Sequence, residues 1–594
     1  MLGGIPGTIE LAAPRFGIGA VSVDGVGGAL TNEGAALLFD GQLFDGPPCA
    51  DPDETRHREV TRVLHEIRLR GPIDAASALD GDFAFVWMDA DGDVWLARDR
   101  FGMRPLYYAR TPGGWAVASQ PGQILAHGGV DPSPDPAFLV RYGLMHYRMI
   151  DNEPTGSPYR GISQVPAATV VRLRPNGAVE SFRYWTVKEE PDHDGSPKEL
   201  AGRYRELLRD SVSRRTNRFT HRAFTLSGGM DSSTVLALAA AEHGPQAAYS
   251  TVYSDPTYDE RDDIQDMLAE HARPWLAVEI PADIDVLREV ERLVAMHHEP
   301  VATATWLSHL HLTERAQRDG VRAMFGGLGG DELNAGEYEY FPFHFADLQA
   351  NDRDDELTHE LALWAEHHDH PIFRKSPEIG LQLIDLVADP TVPGHCLPDL
   401  QRLNRYLSAL DPDFVEFAVQ RPRMESPFHS YLRNRTWQDL TSETLPCCIR
   451  AEDRHGAAHG VVQVLPFLDR AVVEFAYRIP GTLKIRDGVT KRLLRDAMEG
   501  LLPAATRERV KKTGWNAPAH VWFSGSGLDA VRDLVLSDDF EAVGVYRRGE
   551  VLRLLEEHRR IVLQGLMVEN HMMFLWQVVN LIQWDRWRRR SFVT

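Results

Sequence analysis

The chain has 594 residues, 43% of them hydrophobic and 25% charged, with a formal net charge of −22. That length exceeds what one hydrophobic core serves, so two or more domains are expected. The acidity excludes a general nucleic-acid binder, which needs basic surface against phosphate. Four cysteines (Cys49, Cys396, Cys447 and Cys448) in so long a chain exclude a disulfide framework.

Met1-Leu2-Gly3-Gly4-Ile5-Pro6 lacks the basic n-region and apolar stretch of a signal peptide. No apolar run reaches the ~20 residues that span a bilayer. The expectation is a cytoplasmic protein with neither a membrane nor a nucleic-acid partner. Residues 1–190 read as β-rich: short apolar runs such as Phe83–Met88 and Val94–Ala97 alternate with turns, and Asp89-Ala90-Asp91-Gly92-Asp93 suits a hairpin. The polar, breaker-rich stretch Glu189–Pro197 is read as the linker to a second domain, 191–594. Long helical patterns follow, as in an α/β domain built on a parallel sheet.

The most informative stretch comes next. Ser227-Gly228-Gly229-Met230-Asp231-Ser232-Ser233 lies between the apolar runs Ala223–Leu226 and Thr234–Ala241. That order reads as strand, glycine turn, helix. Glycines let the backbone bend and bare its amides, serines add hydroxyls, and the helix N-terminus adds partial positive charge. The product is a phosphate pocket. Asp231 is tolerable beside phosphates only with a cation between them, so magnesium is implied. The Walker pattern would need Gly-Lys-Ser/Thr, which is absent here. A second cluster, Gly326-Gly327-Leu328-Gly329-Gly330-Asp331-Glu332, supplies another carboxylate. Residues 340–400 are acidic and histidine-rich, like an insertion. Neither His367-His368-Asp369-His370 nor His297-His298-Glu299 reads as a metal site, because adjacent helical residues point apart. Leu465-Pro466-Phe467-Leu468-Asp469 reads as packing. The helix around Lys491–Arg495 would bring two cations toward substrate or phosphate. The basic run Arg586-Trp587-Arg588-Arg589-Arg590 reads as a solvated helix end.

The first loop resembles the pyrophosphate loop of the N-type ATP pyrophosphatases, which cleave ATP to AMP and pyrophosphate. The ordered set is similar to the asparagine synthetase family. It comprises Asp80–Phe85, Leu96–Tyr108, the two glycine clusters, Leu465–Asp469, Lys491–Arg495 and Lys511-Lys512-Thr513-Gly514-Trp515-Asn516-Ala517-Pro518. That family also holds β-lactam synthetases and lasso-peptide cyclases, which resemble one another in adenylating a carboxylate and letting a nitrogen displace AMP. The resemblance implies an α/β fold in two parts. An N-terminal-nucleophile-hydrolase-like sandwich would precede an adenine-nucleotide α-hydrolase-like synthetase domain. It implies ATP and Mg2+ as cofactors, with Asp231 and Asp331 on the metal and Ser227, Gly228, Gly229, Ser232 and Ser233 on pyrophosphate. Gly327 would lie at the ribose, and the backbone of Leu226 and Val252 at adenine. Lys512 would stabilise charge as the acyl-adenylate forms and breaks. Its neighbour Lys511 takes that role if the register is one residue off.

The chain departs from the family in both parts. The family's nucleophilic cysteine would fall at Leu2 or Gly3, its Asn-Gly-Glu segment reads Asp40-Gly41-Gln42, and its Ser-Asp pair reads Arg56-His57. A misplaced start would explain only the first of these. No glutaminase activity is expected, and the first domain is read as scaffold. In the second cluster, Leu328 stands where asparagine synthetases carry glutamate and β-lactam synthetases tyrosine. The group that would manage the nitrogen's proton is therefore missing there. Glu337, Tyr338, Glu339 and Tyr340 follow closely, either as replacements or as surface residues. The expected reaction is ATP-dependent amide formation between a specialised or peptide carboxylate and an amine or ammonia, for instance a macrolactam closure. The alternatives are asparagine synthesis from free or delivered ammonia, and a non-catalytic scaffold. A homodimer, or a partner that delivers substrate, is left open.

Overall fold

The computed structural model describes residues 9–13, 16–20, 27–30, 35–46, 52–387, 405–418, 424–511, 517–525 and 527–593. Strands β1 (Ile9–Ala13) and β2 (Phe16–Ala20) pair antiparallel. Next come β3 (Gly27–Leu30), β4 (Ala36–Leu43), β5 (Gly81–Met88), β6 (Val94–Arg98), β7 (Tyr107–Thr111), β8 (Gly114–Ala118), β9 (Ile162–Gln164), β10 (Thr169–Leu173) and β11 (Val179–Arg183). They form an antiparallel six-stranded sheet ordered β11-β10-β6-β5-β4-β3 and a three-stranded sheet ordered β8-β7-β9. The expected hairpin is present, with Val86 opposite Leu96 and Met88 opposite Val94.

Alternation sets the layers. On one face of the six-stranded sheet, Leu37, Phe39, Phe83 and Phe85 pack on Val60, Val63 and Ile67 of the helix Pro52–Arg70 and on Ala75 and Ala76 of the next helix. On the other face, Ala84, Leu96 and Val171 meet Tyr108, Trp115 and Val117 of the smaller sheet. Two sheets with helices outside are the sandwich that the sequence suggested.

The segment from Tyr184 to Ser196 has neither helix nor strand. It is held in place: His193 donates its amide hydrogen to Arg478 O at 2.9 Å, and Arg478 Nε donates to Pro191 O at 3.0 Å. The helix Pro197–Thr216 then opens on a capping box between Ser196 and Glu199.

The second sheet is parallel and five-stranded. It contains β12 (Arg222–Thr225), β13 (Gln246–Val252), β14 (Ala272–Glu279), β15 (Ala323–Phe325) and β16 (Val462–Val464), in the order β14-β13-β12-β15-β16. Its inner strands are largely buried, as a parallel sheet covered by helices requires, while the edge strand β14 is partly exposed. After β12 the chain builds outward first on one side and then on the other. The carboxyl ends of β12 and β15 therefore meet at a topological switch point, where α/β sheets bind ligands. The helix-rich remainder includes Phe341–Ala350, Asp354–His368 and Pro377–Val387, which place most of residues 341–387 of the acidic, histidine-rich stretch in helices; its residues 388–400 lie outside the described residues.

The basic run near the end differs from expectation. It lies inside the helix Met572–Phe592, and that helix is largely buried. Arg588 and Arg589 are tied to Asp585, and Arg586 and Arg589 reach Asp539. Carboxylates on a neighbouring helix and one turn back hold these arginines; Arg588 is buried, Arg586 and Arg589 are partly exposed, and Arg590 at the end of the run is exposed. Among the described residues, no helix is long and apolar enough to cross a membrane.

Phe325 is fully buried and stacks on Phe224 at 4.9 Å. Phe325→Ala should cost about 3–5 kcal/mol in denaturant unfolding. Leu563→Ala, at an exposed position, should stay within about 0.5 kcal/mol.

Candidate active site

At the switch point a cavity of about 520 Å3 opens over the ends of β12, β13 and β15, a size typical of a ligand site. Its floor is the first glycine loop. Gly229 caps the helix Met230–His243, so free amides and the dipole face the cavity. The loop is closed on itself: Ser227 and Ser232 hydroxyls lie 3.0 Å apart, Ser227 N donates to Ser232 Oγ at 3.2 Å, and Gly229 N donates to Ser227 Oγ at 3.2 Å. Arg509 pins it from outside, donating to Gly228 O at 2.5 Å and Asp263 O at 2.9 Å.

The second glycine cluster presses against this helix start. A Cβ on Gly327 would lie 2.6 Å from Ser232 N, and one on Gly330 would lie 2.4 Å from Asp231 Cγ. Only glycine permits that approach. It brings Asp331 beside Asp231, and Lys491 lies between them, its ammonium 2.5 Å from Asp231 Oδ2 and 2.7 Å from Asp331 Oδ1. Lys491 is a non-glycine residue at φ 58°, in the left-handed region that L side chains avoid. The two ion pairs and its amide bond to Asn334 O at 3.2 Å hold it there. Two converging carboxylates form a hard-oxygen donor set that suits a divalent cation. Among the described residues, no group of three or more His, Cys, Asp or Glu side chains offers another metal site.

Most residues singled out in the sequence line this cavity: Leu226, Ser227, Gly228, Gly229, Asp231, Ser232, Val252, Gly327 and Asp331, with Lys491, Arg495 and Lys511. Leu226 and Val252 line it with engaged backbone, since Leu226 bonds Tyr249 O and Ser250 Oγ, and Val252 O accepts from Ile280 N. Ser233 does not reach the cavity. One helical step past Ser232, it turns into the core and is fully buried, against the expectation that it binds pyrophosphate. Lys512, Leu2, Gly3 and Cys49 lie outside the described residues.

Leu328, Ala302, Trp306, Met572, Met573 and Trp576 add apolar surface to the lining. Residues from the first half complete the rim. His146, Tyr147 and Arg148 border the cavity opposite Glu337 and Tyr338, and Arg148 pairs with Glu339. Of the four residues weighed as replacements for the missing acid, Glu337 and Tyr338 line the cavity. Tyr340 is buried and donates to Asp439 at 2.7 Å.

Two carboxyl groups of the cavity wall escaped the sequence reading as functional groups. Glu332 and Glu452 are buried, and both acids are pushed up to about 8. Burial is the main cause for each, with the neighbouring Asp331 adding to it at Glu332. Glu452 Oε1 would stand 3.8 Å from a Cβ on Gly326, so it overlooks the cluster that carries Leu328. It comes from the helix Thr444–His459, whose stripe Cys448, Glu452, His455, His459 follows helical spacing. An acid and three potential ligands on one helix face was the available signal.

In the segment where the first domain departs from its family pattern, Arg56 donates to Gly41 O at 2.6 Å and lies over the Phe39 ring. The Asp40-Gly41-Gln42 and Arg56-His57 segments therefore do meet.

Residues 203–589 match the asparagine synthase family model, and residues 53–185 match a glutamine amidotransferase domain. Asparagine synthetase [glutamine-hydrolyzing] 1 of Bacillus subtilis is 24% identical over 543 residues, covering 88% of this chain and 82% of that protein. A putative asparagine synthetase [glutamine-hydrolyzing] of Mycobacterium tuberculosis is 26% identical over 569 residues, covering 88% and 81%. Amidase chyE of Penicillium rubens is 24% identical over 517 residues, covering 79% and 74%.

The raised pKa of Glu452 carries a stability signature. Between pH 4.5 and about 8 the unfolded chain releases a proton that the folded chain keeps, so raising pH through that window removes stability. Glu452→Gln deletes this contribution. Its melting temperature relative to wild type should climb as pH goes from 5 to 8 and level off above. Parallel curves would mean that Glu452 ionises as freely as in water.

Proposed function

This chain belongs to the asparagine synthase family and is an ATP-dependent carbon–nitrogen ligase; from that premise we propose that it joins a carboxylate bearing an apolar group, or a peptide carboxylate, to an amine or ammonia, without glutaminase activity of its own. The observation that carries the substrate reading is the apolar share of the lining. The glycine loop serves polyphosphate, and Leu328, Trp306, Met572, Met573 and Trp576 add apolar surface that favours an acid bearing an apolar group.

Ser227, Gly228, Gly229 and Ser232, at the helix start, cradle the β- and γ-phosphates of ATP. Asp231 and Asp331 would hold magnesium, which neutralises phosphate charge when bound. Lys491, Arg495, Arg509 and Lys511 surround the departing pyrophosphate with positive charge, and Lys512 stabilises the oxyanion as expected from the family. The substrate carboxylate attacks the α-phosphate, pyrophosphate leaves, and the nitrogen attacks the acyl-adenylate to expel AMP. Glu452 takes the proton that the nitrogen sheds. Its acidity constant near neutrality suits that task, and it replaces the acid absent at Leu328. An intramolecular version would close a macrolactam or β-lactam ring, and specialised metabolism is the natural setting. The Arg56–Gly41 contact occupies part of the segment where glutamine would be read, which supports loss of that activity.

ATP–pyrophosphate exchange tests this. Exchange is expected with apolar acids or peptides bearing Asp or Glu, and Asp231→Ala should lower it at least about 100-fold. Exchange with aspartate together with ammonia-dependent asparagine formation would overturn the substrate reading. Glutamate release from glutamine would overturn the claim of an inactive first domain. No exchange with any acid would leave the chain a scaffold.

A further inference from the structure

Three histidines that take no part in the phosphate chemistry lie in a row behind Glu452. His309, on the helix Thr305–Arg318, places Nε2 3.7 Å from Glu452 Oε1. Its Nδ1 lies 2.8 Å from Nδ1 of His455, and Nε2 of His455 lies 3.0 Å from Nε2 of His297, the last residue of the helix Val286–His297. Three helices thus contribute one ring each. All three rings are buried, as is Glu452. Trp306 packs edge-on against His309 and His455.

Each nitrogen–nitrogen contact holds a single hydrogen, so the tautomer of one ring dictates that of the next. Burial lowers the basicity of all three rings: His309 falls to about 3, and Arg454 and Arg450 depress His297 further. The chain is therefore neutral, and it has two complementary patterns. The charged and titratable groups around it are few. Glu452 stands at the cavity end. His459, paired with Glu314, stands beside His455. Arg450, Arg454 and His298 stand at the His297 end. Arg450 is held by Asp151 and Glu299, each at 2.6 Å, and Arg454 donates to Ser119 O at 2.7 Å.

We propose that His309, His455 and His297 form a positioning relay for Glu452, in which loss of the Glu452 proton flips all three tautomers together. Glu452 passes its proton to His309 Nε2. His309 gives its Nδ1 hydrogen to His455 Nδ1, and His455 gives its Nε2 hydrogen to His297 Nε2. His297 releases its Nδ1 hydrogen to water. One proton enters, one leaves, and every ring is neutral before and after. The 3.7 Å step is the one gap in the row, and a small rotation of the Glu452 carboxyl closes it. The relay gives Glu452 a route for its proton away from the cavity and toward the contact with Tyr107, Ser119 and Asp151 of the first half. Its place in catalysis rests on the reading of Glu452 given above, but its existence does not depend on any substrate.

The test uses the full chain with 15N-labelled histidine, without ligand, over pH 6–9.5. His455, assigned through His455→Gln, should change from Nε2–H to Nδ1–H with a single midpoint shared by His309 and His297. Glu452→Gln should freeze all three in one pattern. His309→Asn should leave the fold intact by circular dichroism yet uncouple His455 from pH. One unchanging tautomer at His455 in wild type, or an identical switch in Glu452→Gln, would overturn the proposal. Either result would leave the exchange assay, and so the ligase reading, untouched.

Discussion

The close approach of the two glycine clusters is the constraint on which the site depends. Gly327 and Gly330 let the strand end of β15 lie against the start of the helix Met230–His243 at a distance no side chain would allow. Two carboxylates from far apart in the chain are thereby forced together in a half-buried place. Like charges so close repel strongly, and the ammonium of Lys491 answers that repulsion from a backbone conformation that lysine seldom adopts. A strained residue held by charge at a phosphate site is the kind of local conflict that folds keep for function.

The two halves of the chain share an apolar layer, in which Phe138, Leu139, Val140 and Tyr142 pack with Val290, Leu293, Trp576 and Leu581, and ion pairs cross beside it. Arg104 pairs with Asp453 at 3.0 Å, Arg214 with Asp80 at 2.7 Å and Arg450 with Asp151 at 2.6 Å, and Arg218 reaches Glu59. Arg450 and Asp453 sit on the same helix as Glu452 and His455. The helix that carries Glu452 is thus clamped to the first half by two ion pairs.

What could be read from the sequence was what is local. A phosphate loop needs its glycines, serines and aspartate within one turn, so Ser227–Ser232 was legible as a unit. Strand, turn and helix around it followed from apolar runs and breakers. Ser233 was misplaced because the loop was read as a string, whereas one more residue of helix swings the side chain by roughly a hundred degrees into the core. The ion pairs of Lys491 join residues hundreds of positions apart, and no spacing rule reports such a meeting. Glu452 and His455 looked like ordinary residues on an amphipathic helix. Their face was decided by the packing of the helices Thr305–Arg318 and Val286–His297. The basic run near the end was read as solvated because the partner Asp539 lies on another helix.

The segment Tyr147–Asp151 belongs by sequence to the first half, yet His146, Tyr147 and Arg148 form part of the cavity rim. The border between the two halves therefore runs through the active site rather than beside it. A gene that kept only the second half would encode a cleft open on one side. That gives the amidotransferase-like half a structural part in the site: it is wall. Changes in its rim residues then become a way to alter which acid is accepted while the machinery that handles ATP stays as it is.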